Sequence, residues 1–265
     1  MRAGAGDLLR PGDPQQAGRR TDPVTRIWLI NPNTTQAMTD AIAECARAVV
    51  GADVVVTGVT SEIGPESIES YYDEALSVPG VLQAVHRGER EGVDGYVIAC
   101  FGDPGLDAAR EVAAGPVIGI AEAAMQAASH LGTGFSIVTT LARTIGQSAH
   151  LAERYGMQRF CRGIHACEIP VLELDTDPNA RKVITEACRE AIEVDHSDAV
   201  VLGCAGMADM CAAISAELGV PVVDGVTAAT LTVHSLVRMG LRTSKRGEYA
   251  TPRVKRYTPG SPTAG

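Results

Sequence analysis

The chain has 265 residues, of which 45% are hydrophobic, so it can form one large domain or two small ones around a substantial core. The formal net charge of −9 argues against nucleic acid or an anionic membrane surface as a partner, and no apolar run approaches the length of a membrane span. The 7 cysteines lie mostly in apolar or helical stretches, which is typical of a cytoplasmic protein rather than of a disulfide framework.

Strands and helices alternate through the first half of the chain. Hydrophobic runs predict strands at residues 27–30, 53–59, 96–99 and 116–120. Intervening periodic segments predict helices at residues 35–50, 73–91, 106–112 and 122–131. We expect the helix over residues 73–91 to be interrupted at Val78-Pro79-Gly80, because proline and glycine both disfavour a helix interior.

The second half repeats this order with a nearly constant offset. Strands are predicted at residues 135–138, within 165–174, and at 199–202 and 220–223. Helices are predicted at residues 144–155, 179–194, 208–218 and 227–239. The repetition indicates an internal duplication. The fold class is therefore α/β, with two pseudo-symmetric, doubly wound parallel-sheet units of flavodoxin-like type and the active site in the cleft between them.

The predicted division of the chain follows from the element order. Residues 27–120 plus 226–245 form a first α/β unit, and residues 121–225 form a second. Residues 1–26 lack the apolar stretch of a secretory signal and are interpreted as a disordered leader. Residues 246–265 are interpreted as a flexible tail.

Two cysteines occupy equivalent places in the two halves. Cys100 ends an apolar run and is followed by Phe101-Gly102, and Cys204 ends another and is followed by Ala205-Gly206. Ligands of open α/β sheets bind at the carboxyl ends of strands, and a helix N-terminus there should help a thiol to ionise. Two units facing each other would place Cys100 and Cys204 across one cleft.

A pair of thiols on opposite sides of a ligand suits inversion of a carbon stereocentre. One thiolate removes a proton from one face while the other thiol delivers a proton to the opposite face, with no metal and no cofactor. A free cysteine has a pKa of about 8.5, so a modest shift would give the mixed ionisation that this chemistry needs. Backbone N–H groups of Phe101, Gly102, Ala205 and Gly206 could stabilise the enolate.

Polar side chains at the other strand ends are the candidate substrate contacts. These are Asn31, Thr34, Thr139 and Thr140. Asn31 and Thr34 could instead serve as a turn residue and a helix cap. We interpret Asp103 and Asp209 as helix N-terminal charges rather than as acids or bases, and the other five cysteines as buried residues.

Several stretches together resemble one family over about residues 27–249. They are Asn31-Pro32-Asn33-Thr34-Thr35, Tyr72-Asp73-Glu74-Ala75-Leu76, Ile98-Ala99-Cys100-Phe101-Gly102-Asp103, Gly119-Ile120-Ala121-Glu122-Ala123, Val201-Leu202-Gly203-Cys204-Ala205-Gly206-Met207 and Thr243-Ser244-Lys245. The chain resembles the aspartate/glutamate racemase superfamily and, within it, the hydantoin and allantoin racemase branch. The resemblance implies a homo-oligomeric racemase that needs no cofactor, with Cys100 and Cys204 as its acid–base pair.

The departures from amino-acid racemases bear on the substrate. In those relatives the triplets that begin with the two cysteines resemble Cys-Asn-Thr and Cys-Thr-His. This chain has Cys100-Phe101-Gly102 and Cys204-Ala205-Gly206 at those places. Apart from Arg143, the strand-end loops lack a cation for an α-carboxylate. The resemblance therefore implies a neutral 5-substituted hydantoin, most nearly allantoin, and a place in purine catabolism. The alternatives are an amino-acid or dicarboxylate racemase or isomerase of the same superfamily, and a non-catalytic protein that binds a small ligand.

Overall fold

A computed structural model of the chain describes residues 24–256. Residues 1–23 of the predicted leader and residues 257–265 of the predicted tail lie outside the described residues. The first strand begins at Thr25, inside the segment predicted as leader, because the Thr25 N–H donates to the Asp53 carbonyl at 2.8 Å. Some of the predicted tail is also packed. The Tyr249 hydroxyl donates to the Asp107 carboxylate at 3.0 Å.

In residues 24–256, parallel strands form two four-stranded sheets with the same connectivity. The strands are β1 (Thr25–Asn31), β2 (Val54–Thr60), β3 (Gly95–Ile98), β4 (Val117–Gly119), β5 (Phe135–Thr139), β6 (Cys161–Ala166), β7 (Ala199–Leu202) and β8 (Val222–Asp224). The sheet orders are β2-β1-β3-β4 and β6-β5-β7-β8. The predicted α/β class and the doubled parallel sheet are confirmed.

Helices cover both sheets. They are α1 (Gln36–Ala48), α2 (Tyr71–Glu91), α3 (Leu106–Val112), α4 (Ile120–Ser129), α5 (Ile145–Arg154), α6 (Ala180–Asp195), α7 (Cys211–Leu218) and α8 (Gly225–Arg238). No described helix is both long enough and apolar enough to cross a membrane.

Three predicted elements differ from the structure. Helix α2 continues through Pro79, because its buried face, including Val81 and Val85, packs on the sheet and outweighs the proline penalty of about 3 kcal/mol. Strand β6 ends at Ala166, and the apolar stretch after it forms a short turn that buries Val171. The helix predicted at residues 208–218 begins as a 3-10 turn, Ala205–Met210.

Two helices are exchanged between the sheets. Helix α4 follows β4 of the first sheet but packs against β7 and β8 of the second. Helix α8 follows β8 of the second sheet but packs against β1, β3 and β4 of the first, and the two helices also pack on each other. One buried cluster therefore contains residues of both sheets, such as Leu29 and Ile137. The carboxyl ends of the two sheets are held in a fixed relation by this exchange.

The contact between α4 and α8 depends on a glycine. A Cβ atom at Gly225 would lie 2.3 Å from the Ile120 carbonyl oxygen, so no larger residue fits without moving a helix backbone. We expect Gly225→Ala to lower the free energy of unfolding by about 2 kcal/mol, measured by urea denaturation. Gly146→Ala on α5 is the control, since a Cβ there meets nothing within 4 Å; it should be neutral or stabilise by up to about 1 kcal/mol. Equal stability of the two variants would contradict the close packing.

Candidate active site

The two cysteines singled out by the sequence face one cavity. Cys100 follows β3 and Cys204 follows β7, each an interior strand of its sheet. Both line a cavity between the carboxyl ends of the two sheets. Its volume is about 550 Å³, including the space at its entrance that is open to solvent. The two thiols are close enough that a charge on Cys204 raises the pKa of Cys100. This juxtaposition places two thiol groups, one from each sheet, beside a single cavity.

The protein surroundings of both thiols favour the neutral form. Burial raises the pKa of Cys100 and of Cys204 to about 12, although the backbone N–H groups of Gly102 and Gly206 donate to the sulfurs and act in the opposite direction. Burial therefore opposes the ionisation that the sequence analysis expects at these strand ends. At Cys100, helix α3 begins only at Leu106, too far along the chain for its N-terminus to offset the loss of water.

The predicted substrate contacts divide into two groups. Five of them line the cavity beside the cysteines: Phe101, Gly102, Thr139, Thr140 and Ala205. The other three do not line it: Asn31, Thr34 and Gly206. Asn31 and Thr34 hold neighbouring groups in place, and the Gly206 N–H donates to the Cys204 sulfur.

Asn31 supports a cavity residue rather than contacting the cavity itself. Its side chain is 1% exposed, and its Nδ2 donates to the Asn33 Oδ1 at 2.8 Å and to the Thr39 Oγ1 at 3.0 Å. The side chain of Asn33 lines the cavity and donates to the Met38 sulfur at 3.2 Å. The Thr34 hydroxyl donates to the Pro65 carbonyl at 3.3 Å and fixes the loop.

A wall of hydroxyl groups borders the cavity on the second sheet's side. The Thr139 and Thr144 hydroxyls are hydrogen-bonded at 2.8 Å, and Thr144 also donates to the Leu141 carbonyl at 2.8 Å. Thr144 and Ser148 line the cavity, and sequence analysis missed them. Their spacing of one helical turn, with both side chains buried, was the available signal.

The segment between β2 and α2 reaches across the cleft. Ile68 lines the cavity, and the Glu69 carboxylate accepts a hydrogen bond from the Val171 N–H at 2.7 Å. Farther along, the Tyr71 hydroxyl is 3.2 Å from the His150 Nδ1. Sequence analysis missed these contacts because each joins residues far apart in the chain. They tie the first sheet's side of the cavity to the second.

Asp103 anchors the turn that carries Cys100. Its carboxylate is 2% exposed and accepts hydrogen bonds from the N–H groups of Ala121 and Glu122, each at 3.0 Å, and from the Tyr155 hydroxyl at 2.7 Å. It is thus a helix N-terminal charge, but the helix is α4 rather than α3. Burial raises the pKa of this carboxyl to about 7.

Among the described residues that line the cavity, the polar groups are amides, hydroxyls and thiols, and none is an ionic side chain. Arg143, the one cation considered from the sequence, is exposed outside the cavity. The cavity therefore offers hydrogen bonds but no counter-charge for a carboxylate. A small neutral ligand with amide and carbonyl groups matches this lining.

The fold and the site together define an enzyme built on a doubled parallel α/β scaffold, with two thiols at the cleft between its sheets. The sequence profile described as Asp/Glu/Hydantoin racemase matches residues 27–233. The chain therefore belongs to the Asp/Glu/hydantoin racemase family and is an isomerase of the racemase type.

Individual relatives agree with this assignment. The chain is 45% identical to the hydantoin racemase of Pseudomonas sp., over 88% of this chain and 94% of that protein. It is 47% identical to the hydantoin racemase of Rhizobium meliloti, over 86% of this chain and 95% of that protein. The solved structure of allantoin racemase from Klebsiella pneumoniae superimposes with a TM-score of 0.87 at 48% identity, covering 89% of this chain and 97% of that one.

Proposed function

We propose that the protein racemises C5 of 5-substituted hydantoins, with allantoin as the leading substrate, and that Cys100 and Cys204 are its acid–base pair. The observation that carries the proposal is the approach of two thiols from different sheets to one cavity. A substrate ring between them would present its two faces to two different sulfurs. The names of the similar hydantoin and allantoin racemases support the substrate class.

In the proposed reaction, one cysteine as thiolate takes the C5 proton and becomes a thiol. The electron pair of the C–H bond moves into the adjacent carbonyl to give an enolate. The other thiol then delivers its proton to C5 on the opposite face and becomes a thiolate. Since the Gly102 and Gly206 N–H groups already donate to the sulfurs, we assign the enolate oxygen to the N–H groups of Phe101 and Ala205. One such donor is worth about 3 kcal/mol in the transition state.

The uncharged lining favours a hydantoin over an amino acid or a dicarboxylate. A carboxylate brought into a cavity without a cation would lose hydration and gain no ion pair. A hydantoin ring is neutral and offers two carbonyl groups and two N–H groups to hydroxyls and amides. Among hydantoins, the ureido substituent of allantoin adds further hydrogen-bonding groups that suit Asn33, Thr144 and Ser148 on the cavity wall.

Solvent deuterium exchange tests the proposal directly. Purified protein is incubated in D2O with one enantiomer of allantoin, of a 5-alkyl hydantoin, of aspartate and of malate. Mass spectrometry follows deuterium at the stereocentre, and circular dichroism follows the loss of optical activity. We expect exchange and racemisation with the hydantoins only. Activity confined to aspartate or malate would favour the dicarboxylate alternative, and binding without exchange would favour a non-catalytic protein.

A further inference from the structure

Gln147 and Glu74 form a hydrogen-bonded pair beside the Cys100 turn. Gln147 lies on α5 and lines the cavity, Glu74 lies on α2, and the Gln147 Nε2 donates to the Glu74 carboxylate. A Cβ atom built on Gly102 would lie 2.9 Å from the Gln147 Nε2 and 3.6 Å from the Glu74 carboxyl carbon. The pair therefore joins the two sides of the cleft at the place where the substrate ring would meet Cys100.

The Glu74 carboxylate sets the orientation of the Gln147 amide. An ionised carboxylate can only accept hydrogen bonds, so the NH2 group of Gln147 must point at Glu74. The Oε1 atom of Gln147 then lies on the other branch of the amide, turned away from Glu74. Hydroxyl groups can rotate to donate or accept, whereas this amide oxygen is held in one role.

We propose that the Gln147 Oε1, oriented by Glu74, accepts a hydrogen bond from a ring N–H of the substrate and thereby selects cyclic ureides. The assignment rests on the proposed function. Gln147 acts as a specificity-determining residue, and Glu74 as the positioning residue behind it. An acceptor fixed in this way stabilises the binding of a ring with a free N–H. When that nitrogen is methylated, the Gln147 Oε1 is left buried and unpaired.

The same pair gives substrate binding a pH dependence. Burial raises the pKa of Glu74, and the nearby charge of Arg154 together with the hydrogen bond from Gln147 limits the rise. The titratable and charged groups facing Glu74 are Arg154 of α5 and the thiol of Cys100. A protonated Glu74 can donate to the Gln147 Oε1, so the amide can turn and present its NH2 group to the cavity. KM for a hydantoin should therefore rise as pH falls through the raised pKa of Glu74.

Enantiopure 5-isobutylhydantoin and its N1-methyl and N3-methyl derivatives test the assignment. With the wild type, we expect one of the two methyl derivatives to lose about tenfold in kcat/KM, the cost of about one unpaired hydrogen-bonding group. Gln147→Leu should lose about tenfold on the parent hydantoin and nothing further on that methyl derivative. Gln36→Leu is the matched control, because Gln36 pairs with the Asp40 carboxylate at 2.8 Å on the exposed face of α1.

Glu74→Gln separates orientation from packing. This variant keeps the size of residue 74 but can donate as well as accept and no longer titrates, so KM should stay at the raised low-pH value at every pH. Gln147→Leu activity within twofold of wild type on the parent hydantoin, or an equal loss on all three compounds, would overturn the assignment while leaving the racemase proposal intact. A wild type that exchanges C5 of none of the three compounds would overturn the proposed function and this assignment with it.

Discussion

Serine in place of either Cys100 or Cys204 should slow racemisation by about a thousandfold, within the range reported for loss of a general acid or base. Inversion needs one group on each face of the ring, so neither cysteine can replace the other. A serine hydroxyl occupies similar space but is far less acidic than a thiol, so it cannot supply the reactive anion. Circular dichroism decay of each allantoin enantiomer measures the effect.

The two variants should also differ from a merely misfolded protein. In Cys204→Ser the remaining Cys100 can still remove the proton from its own face and return deuterium there. In Cys204→Ser, deuterium exchange without inversion should therefore persist for one enantiomer. In Cys100→Ser, it should persist for the other enantiomer. Cys211→Ser is the control. The Cys211 thiol donates to the Val222 carbonyl at 2.9 Å, a bond that serine can also make. Full racemase activity in either catalytic variant would refute the two-base mechanism.

The raised pKa values of the two thiols give the wild type a defined pH profile. The raised pKa values favour two neutral thiols at neutral pH, whereas the proposed reaction starts from the form with one thiolate. The fraction of that form grows as pH rises toward the raised pKa values of about 12. We therefore expect kcat/KM to increase with pH through and beyond the ordinary thiol pKa of about 8.5. A plateau near neutral pH would contradict this profile and would show that the bound substrate sets the ionisation of the thiols.

The positions of the two cysteines were predictable from the sequence, but their ionisation was not. An apolar run that ends in Cys-Phe-Gly or Cys-Ala-Gly places a thiol at a strand's carboxyl end by local rules alone. The pKa of Cys100 depends on how much protein surrounds it, including groups from the other unit. Burial of that kind is a property of the assembled cleft, and no local pattern reports it.

The residues that line the cavity also divide into those that local sequence predicts and those that depend on long-range packing. Thr139 ends β5 and Thr140 directly follows it, so their place at the cavity could be predicted. Gln147 lies on a helix, and Val171 follows an edge strand; each reaches the cavity only because segments from the other half pack against it. The exchange of α4 and α8 between the sheets brings those segments together. Long-range packing therefore accounts for the site residues that sequence analysis missed.

Asp103→Asn should lower the free energy of unfolding by about 1–3 kcal/mol. The two carboxyl oxygens of Asp103 accept from two N–H groups of α4 and one tyrosine hydroxyl, and an amide must turn its NH2 group toward one of those donors. A buried donor left without an acceptor costs about 1–3 kcal/mol. Asp107→Asn is the control. Asp107 is exposed and pairs with Arg154 at 2.5 Å, and an exposed ion pair contributes up to about 1 kcal/mol.

The difference in the free energy of unfolding between wild type and Asp103→Asn should change with pH in a definite direction. The pKa of Asp103 is raised to about 7 in the folded protein, against about 3.9 in an unfolded chain. The folded state therefore binds a proton more tightly, and the stabilisation from this group is full below about pH 4 and lost as pH rises through 7. Asparagine does not titrate, so the stability difference between wild type and Asp103→Asn should be larger at pH 5 than at pH 8. Urea denaturation of both proteins at the two pH values measures it. A difference that grows with pH would mean that the ionised carboxylate, rather than the protonated one, is the form that the Cys100 turn prefers.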